Sequence, residues 1–550
     1  MKRTALIYIL LVCLVTLLRA QPKYELRAVW LTTIGGIDWP QSYAHDGMGI
    51  QAQQQQLRDI LDRLKAIHVN TVLLQTRVRA TTVYPSDIEP WDGCLSGKPG
   101  VSPGYDALQF AIDECHRRGM ELHAWVVTLP IGKWNTYGCR QLRRRYPAMV
   151  KRIGDEGYLN PESPLTAGYL ADICEEITRR YDIDGIHLDY IRYPETWRGT
   201  KRHDYITRIV RSIHHQVKLH KPWVKLSCSP IGKYDDLARY RSNGWNAYSR
   251  VAQDAQGWLR DGLMDQLYPM MYFAGNQFYP FAIDWQDNSY GRTVAAGLGT
   301  YMLHPRERNW PLDEMARQLN VSRQIGMGHC HFRAKFLLDD VKGIYGFMKQ
   351  FDNHPALIPP MTWAQSLAPD SPTQLDVSHN GDTDRLAWSG AKDRSDGPYL
   401  LYNIYGADTY PVDISRAEHL LCTRHLWQHI DIRKPTNGKH RYYAVTAIDR
   451  YGNESAACQQ ADTDSTHNGS AIHRLMANDG KRLSVPELPW DATELFVCSA
   501  QGNKICSFRY QPVIDISNLP EGTYMLYGRN KKRVTHRLGY FTVKQRVQRK

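Results

Sequence analysis

Residues 184–194 read DGIHLDYIRYP, an apolar run carrying His187 and Asp189 two positions apart. In a β-strand that spacing puts both on one face, opposite Ile186 and Leu188. Cleaving a glycosidic bond requires a carboxylic acid that protonates the leaving oxygen and a carboxylate that attacks or activates water. Asp189 has the position for one of these roles: it falls late in its strand, with Arg192 just after it. A neighbouring cation favours the charged form, so Arg192 is expected to hold Asp189 ionised. Asp184 opens the same strand at the opposite rim and is assigned no chemistry. For the partner carboxylate the candidates are Asp38 in GGIDWP, the pair Asp235 and Asp236 after the fifth strand, and Glu162 in LNPESP. Glu162 ranks below the others because an acid preceding a helix also serves that helix's positive end. Asp265 starts a strand and belongs at the wrong rim.

Positioning these groups takes a scaffold that repeats. Strand-like runs occupy 26–32, 70–78, 120–128, 184–191, 224–230, 264–273, 294–302 and 328–336, and amphipathic helical stretches such as 51–68, 105–119, 165–181 and 245–262 fall between them. Eight such units predict an α/β fold, a (β/α)8 TIM barrel. The absence of GxGxxG after the first strand argues against a doubly wound sheet. Alternation assigns the faces. Val72 and Leu74 oppose Gln75 and Arg77; Leu122, Ala124 and Val126 oppose Glu121, His123 and Trp125; Leu226 and Cys228 oppose Ser227 and Ser229; His329, His331 and Arg333 share one face. The apolar face is expected to pack on helices and the polar face to line the interior, with the site at the strands' C-terminal ends.

Aromatic residues in or beyond the strand ends fit a sugar ligand, since rings stack on the apolar faces of pyranoses. They include Trp39, Tyr84, Trp91, Trp125, Trp134, Tyr190, Tyr193, Tyr268 and Tyr272. Only His329 and His331 have a spacing that metal ligands use, and neither a metal nor a cofactor is expected.

The chain has 550 residues and a net charge of +13, with 42% apolar residues. Its first twenty residues show a basic start, an apolar run from Ala5 to Leu18 and a small residue at Ala20, which reads as an export signal over 1–20. Cleavage would remove Lys2, Arg3 and Arg19 and leave no membrane span. The basic excess is spread over RQLRRR (140–145), RNKKR (529–533) and QRVQRK, without the aromatic platform of a nucleic-acid module. Eleven cysteines occur without CxxC pairs. Cys498 and Cys506 flank a QGN turn and could oppose each other across a hairpin. Beyond a barrel domain over 21–368, short alternating strands predict one β-sandwich over 369–463 and another over 464–550.

In order along the chain come ELRAVWLTTIGGIDWP, QTRVRATTVYPSD, YLNPESP, DGIHLDYIRYP, DGLMDQLYPMMY and HPALIPPMTW. Together they resemble the glycosyl hydrolase-like 10 family over roughly residues 24–365. The resemblance implies a TIM barrel, a periplasmic, cell-surface or secreted location, and hydrolysis of bacterial wall glycans or imported polysaccharides. It carries over Asp38, Gln75, Arg77, Asn160, His187, Asp189, Tyr268 and Tyr272 as positions in or near the site, and His123, Trp125, Arg192 and Tyr193 join them by position. Two departures stand out: Tyr190 occupies the place of a second acid in the family's DDYFYP form, and GHCHFRAKF replaces a small, Ser-containing eighth strand. DGIHLDYIRYP is also similar to the DGxDxDxE stretch of chitinase-like barrels, but that catalytic Glu would fall at Ile191. The region 369–463 resembles a fibronectin type III module through YNIYGAD and YYAVTAIDRYGNES, and the last region resembles C-terminal modules of secreted Bacteroidetes proteins through VIDISNLPEGTYML. Spacing, docking to the envelope or binding, rather than catalysis, is the expected task of both. The competing reading is a non-catalytic, glycan-binding envelope protein on the same scaffold.

Overall fold

Short runs rich in Val, Leu, Ile and Ala pair in parallel and close on themselves. The strands are β1 (Arg27–Leu31), β2 (Thr71–Arg77), β3 (Glu121–Val127), β4 (Gly185–Asp189), β5 (Lys225–Cys228), β6 (Gln266–Leu267), β7 (Thr293–Leu298) and β8 (Gly328–His331), each bonded to the next and β8 to β1. This closed eight-stranded barrel is seen in a computed structural model that describes residues 21–395, 397–434, 441–461, 481–485, 492–499, 503–531 and 535–543. The export signal read over 1–20 lies outside the described residues. Among the described residues no helix is long and apolar enough to cross a membrane.

Helices between strands form where an apolar stripe and an N-cap coincide. In α1 (Gly47–Lys65), Leu57, Leu61 and Leu64 are buried on one side, and Asp46 caps the first turn by accepting from the Gly49 N–H. Asp106 caps α2 (Ala107–Arg117) in the same way, through Leu108 and Gln109. The helix α3 (Pro164–Arg180) starts on a proline that needs no N–H partner in the first turn. The stretch 245–262 divides into two short helices, Tyr248–Val251 and Ala255–Arg260, separated at Ala252, whose φ is +56°. The sixth strand is only two residues long, and Pro269 lies just beyond it with no N–H for a ladder.

Register settles the faces. Ala28, Trp30, Leu73, Trp125, Val127, Tyr268, Ala295 and Cys330 pack together inside the barrel, whereas Val29, Leu31, Val72, Leu74, Val126, Ile186, Leu188 and Leu226 join the helices. At the base of the interior Glu121 binds His123 Nε2 at 3.0 Å and accepts from Lys225 Nζ at 2.7 Å. Two expectations are corrected here. His329 and His331 are level with Ala296 and Leu298 and face the helical layer; Cys330 is the inward residue of β8. Arg77 is also turned out of the interior, because a register shift between Gln75 and Arg77 sets it level with the outward Val126.

The turned-out Arg77 is fully buried. It holds Glu89 through Nε at 2.8 Å and Nη2 at 2.7 Å, while its Nη1 reaches the carbonyls of Val127 and Thr128, the latter at 2.8 Å. Tyr169 of α3 donates to the same carboxylate at 2.6 Å. One guanidinium thus ties the ends of β2 and β3 to α3.

The chain divides into two compact units, Met1–Ser366 with Arg450–Asn453, and Leu367–Asp449 with Glu454–Lys550. The second is antiparallel β-sheet. Thr373–Asn380, Thr383–Ser389 and His429–Arg433 form one sheet, and Leu420–His425, Leu401–Ala407, Tyr442–Ile448 and Cys458–Gln459 another. Further along, Lys504–Arg509, Ala492–Ser499, Gly522–Asn530 and Thr535–Val543 form a four-stranded sheet. The two hairpin cysteines do not face each other: Cys506 lies opposite Val497, and a bulge sets Cys498 opposite Lys504.

Glu89→Gln leaves the buried Arg77 without its counter-charge and is expected to cost about 3–5 kcal/mol in denaturant unfolding. Full stability in that variant would show that Arg77 does not carry the clamp.

Candidate active site

Asp189 ends β4 at the C-terminal mouth of the barrel and is buried. Its Oδ1 accepts from the Ser229 hydroxyl at 2.9 Å and from the Tyr190 N–H at 2.8 Å, and its Oδ2 accepts from Trp125 Nε1 at 3.2 Å. Thr128, just past β3, fixes the backbone by donating twice to the Asp189 carbonyl, at 2.9 Å from its N–H and 2.8 Å from its hydroxyl. The carboxyl is therefore oriented from three strands. Burial pushes its pKa above the usual Asp range, and the opposing pull of Ser229, Arg192, Tyr190 and Trp125 does not cancel that rise. Arg192 pulls toward the charged form as expected, but its guanidinium meets Glu195 at 2.6 Å and lies over the Tyr190 ring at 4.6 Å, and burial outweighs it. Tyr190 has φ +54°, so the chain leaves the strand at once and its ring stands 40% exposed.

His187 lies one tier deeper. Trp30 Nε1 donates to its Nε2 at 3.1 Å, which leaves the ring proton on Nδ1, facing Ser227 Oγ at 3.0 Å. Ser227 in turn donates to the Ile186 carbonyl at 3.3 Å. Burial drives the His187 pKa far down, so the ring is neutral. Tyr268 packs edge-on against it at 5.1 Å and donates to Gln266 at 2.9 Å. His187, His123 and Tyr268 are sealed within the barrel and present no surface to a ligand.

The other candidates divide by what already occupies them. Asp38 is saturated: Oδ2 accepts from the Thr32 N–H at 2.9 Å and hydroxyl at 2.5 Å, and Oδ1 from Arg333 and from the Lys335 N–H at 3.1 Å. Trp39 is core, with its indole N–H on the Gln53 carbonyl at 2.8 Å, so it offers no face to a sugar. Gln75 holds the turn after β1 by accepting from Thr33 and Ile34 N–H. Asn160 caps the turn before α3 by accepting from the exposed Glu162's N–H at 3.1 Å. Asp235 accepts from Asn246 and Ser249, and Asp236 from Ser242, all between β5 and the end of the short helix Tyr248–Val251. Tyr193 is buried against Trp197 at 5.1 Å. Tyr272 does reach the mouth, half-buried and stacked on Phe332 at 5.4 Å, and its hydroxyl feels the Asp189 charge. Asp184 stays at the base, accepting from His116 at 2.8 Å and the Leu122 N–H at 2.9 Å.

Glu25, His329 and Asp352 bring possible metal ligands within 4.8 Å of one another. Arg27 and Arg323 already neutralise them: each guanidinium meets Glu25 at 2.7 Å, and they meet Asp352 at 3.3 and 2.5 Å. Those cations hold Asp352 below the usual carboxylate range although burial alone would raise it. A dication there would face two fixed positive charges, so the cluster does not suit one.

The sequence profile of the family described as Glycosyl hydrolase-like 10 matches residues 25–204 and 193–295, from just before β1 into β7. The barrel belongs to this family. The chain is 28% identical over 486 residues to the glycosyl hydrolase YngK of Bacillus subtilis, covering 80% of this chain and 94% of that one. It is 30% identical over 294 residues to the glycosyl hydrolase DigH of Escherichia coli K12, covering 46% of this chain and 66% of DigH. Among solved structures, α-L-fucosidase isoenzyme 2 of Paenibacillus thiaminolyticus aligns with a TM-score of 0.41 at 15% identity, over 62% of this chain and 51% of that one, too loosely to weigh.

Within this glycosyl hydrolase-like 10 barrel, sequence reasoning missed Trp30, Thr128 and Glu195 and left Ser229 without a role. Ser229 was legible in part, since it shares a face with Ser227; Thr128 acts through the backbone of another strand, which no local pattern reveals. The folded state binds the Asp189 proton more tightly than the unfolded chain does, so stability falls as pH rises from the ordinary Asp range through the folded pKa. Ser229→Ala removes a donor to the charged form, and 13C titration is expected to show a higher Asp189 pKa. A downward move would overturn this assignment of the hydrogen bond.

Proposed function

We propose that the protein is an exported glycoside hydrolase that cleaves O-glycosidic bonds of a bacterial wall glycan or an imported polysaccharide with Asp189 as a catalytic carboxyl group. The observation that carries the reading is Asp189 itself: a buried carboxyl at the end of β4, aimed by Trp125 and Ser229, with its pKa raised. A carboxyl that keeps its proton above the ordinary range suits the general acid, which must donate to the leaving oxygen. The family match and the glycosyl hydrolase names of YngK and DigH support the reaction class. The basic, apolar and small-residue pattern of residues 2–20 supports export, and the C-terminal β-rich regions are assigned to docking or spacing.

Paired-carboxylate chemistry needs a second acid. Glu195 follows β4 on the same loop and is linked to Asp189 through Arg192, whose charge acts on both. It is our candidate because it shares the loop of Asp189, whereas Asp38 is saturated by Thr32, Arg333 and Lys335, Asp235 and Asp236 are held by Asn246, Ser249 and Ser242, and Glu162 is exposed. That engagement also favours a second reading, a glycan-binding protein that has lost hydrolysis.

Reducing-end release from peptide-free peptidoglycan strands and plant or host polysaccharides separates the two. Asp189→Asn is expected to lower kcat by about 10²–10⁴-fold with binding retained, and Glu195→Gln to lower it as well. Release unaffected by Asp189→Asn would remove Asp189 from the chemistry. No release by the wild type from any glycan, with binding intact, would establish the binding reading.

A further inference from the structure

Between β3 and α3 the chain makes an insertion, residues 129–160, that the catalytic argument does not use. It holds a three-stranded antiparallel sheet (Pro130–Lys133, Glu156–Leu159 and Val150–Ile153) and a helix, Tyr137–Arg145. Its thirty-two residues carry seven Lys and Arg against two acids, whereas the whole chain carries 69 against 56. Because it follows a barrel strand, it stands on the rim that carries Asp189. Its root is tied there: Thr128, one residue earlier, donates to the Asp189 carbonyl. Its far side meets the loop after β4, where Lys151 Nζ lies 3.9 Å from the centre of the Trp197 ring.

Among the described residues no cation of this insertion pairs with a carboxylate, in contrast to the barrel, where Arg27, Arg77, Arg118 and Arg323 all do. Arg140, Arg144 and Arg145 are exposed on the helix. Arg143 and Arg152 lie over Trp134 at 4.4 and 5.4 Å and donate to the carbonyls of Trp134 and Gly154, so they are held in place with most of their donors unspent. A planar guanidinium presents paired donors that match a carboxylate or sulfate.

We propose that this insertion is a subsite for an anionic glycan, binding carboxylate or sulfate groups along a polysaccharide whose backbone passes the Asp189 mouth. Two features favour a glycan over other polyanions. The insertion exposes no large apolar side chain, as a surface that enters a lipid interface does. Its one tryptophan, Trp134, lies beneath two guanidiniums and is not open to stack on a nucleic-acid base. The inference rests on the proposed function for the polymer class alone, and it is tested by binding.

The test uses the purified full chain and the triple variant Arg140→Gln, Arg144→Gln, Arg145→Gln. Glutamine keeps the helix propensity of arginine, and an unchanged circular dichroism spectrum verifies the fold. The probes are peptide-free peptidoglycan strands, polygalacturonate and chondroitin sulfate, with chitin oligosaccharides and dextran as neutral partners. Wild type is expected to prefer the anionic chains, and the triple variant to lose about tenfold in affinity for them at low ionic strength, since each exposed charge contributes modestly. Neutral glycans are expected to bind both proteins alike, the difference is expected to vanish near ~1 M salt, where screening reaches ~3 Å, and lysine at the three positions is expected to restore most of it. The polymer that suffers the largest loss identifies the anionic group, lactyl carboxylate, uronate or sulfate. Equal affinity of both proteins for every anionic glycan would overturn the proposal. An Asp189→Asn protein that cuts nothing yet binds anionic chains through these arginines leaves the subsite standing whatever becomes of the hydrolase reading.

Discussion

Closing a sheet into a barrel sends every second side chain into a space that solvent does not reach, and each polar group placed there must find its partner there. This constraint organises the structure from base to mouth. Glu121 is offset by Lys225 and bonded to His123; His187 is held between Trp30 and Ser227; Asp189 is met by Ser229, Trp125 and a backbone N–H. Each tier is tied by hydrogen bonds of its own to neighbouring strands, so the tier above rests on a braced floor. A carboxyl held this way keeps a fixed direction, which is what proton transfer to a specific oxygen requires.

The same desolvation that constrains Asp189 gives it chemistry. In water a carboxyl of this type is ionised well below neutrality. At the end of β4 burial reverses part of that preference, and Arg192, bonded to Glu195, offsets it only in part. Tyr190, next in the chain, contributes an exposed ring at the mouth and no second negative charge beside Asp189. Two carboxyls that close would shift each other's titration; here the single buried acid is tuned by burial and by three donors.

Much of this was legible in the sequence. The eight strand runs and the alternation of β3, β4 and β5 predicted the barrel and put Trp125, His187, Asp189 and Ser229 on its inner face, and register confirms that arrangement. The rule failed where the strand was irregular. A one-residue shift in β2 carries Arg77 to the opposite face, and in β8 the two histidines are polar yet lie against the helical layer, where Asp352 stands 3.3 Å from His329 and Thr300 meets His331 at 2.9 Å. Polarity was read as a sign of the interior, but buried ion pairs satisfy polar groups on either side of a strand. Asp38 and Trp39 were misread for a related reason: their motif stands on the correct rim, and only three-dimensional bonding reveals that both are consumed in holding the loop after β1.

The tautomer of His187 has one more consequence. With Trp30 donating to one ring nitrogen and the other proton committed to Ser227, the imidazole can neither accept nor release a proton without breaking a bond that the strands themselves hold. The layer beneath Asp189 is therefore an insulator: protons reach the carboxyl from the mouth or not at all. The loops of the mouth can then change, and with them what meets the carboxyl, while the wiring below stays as it is.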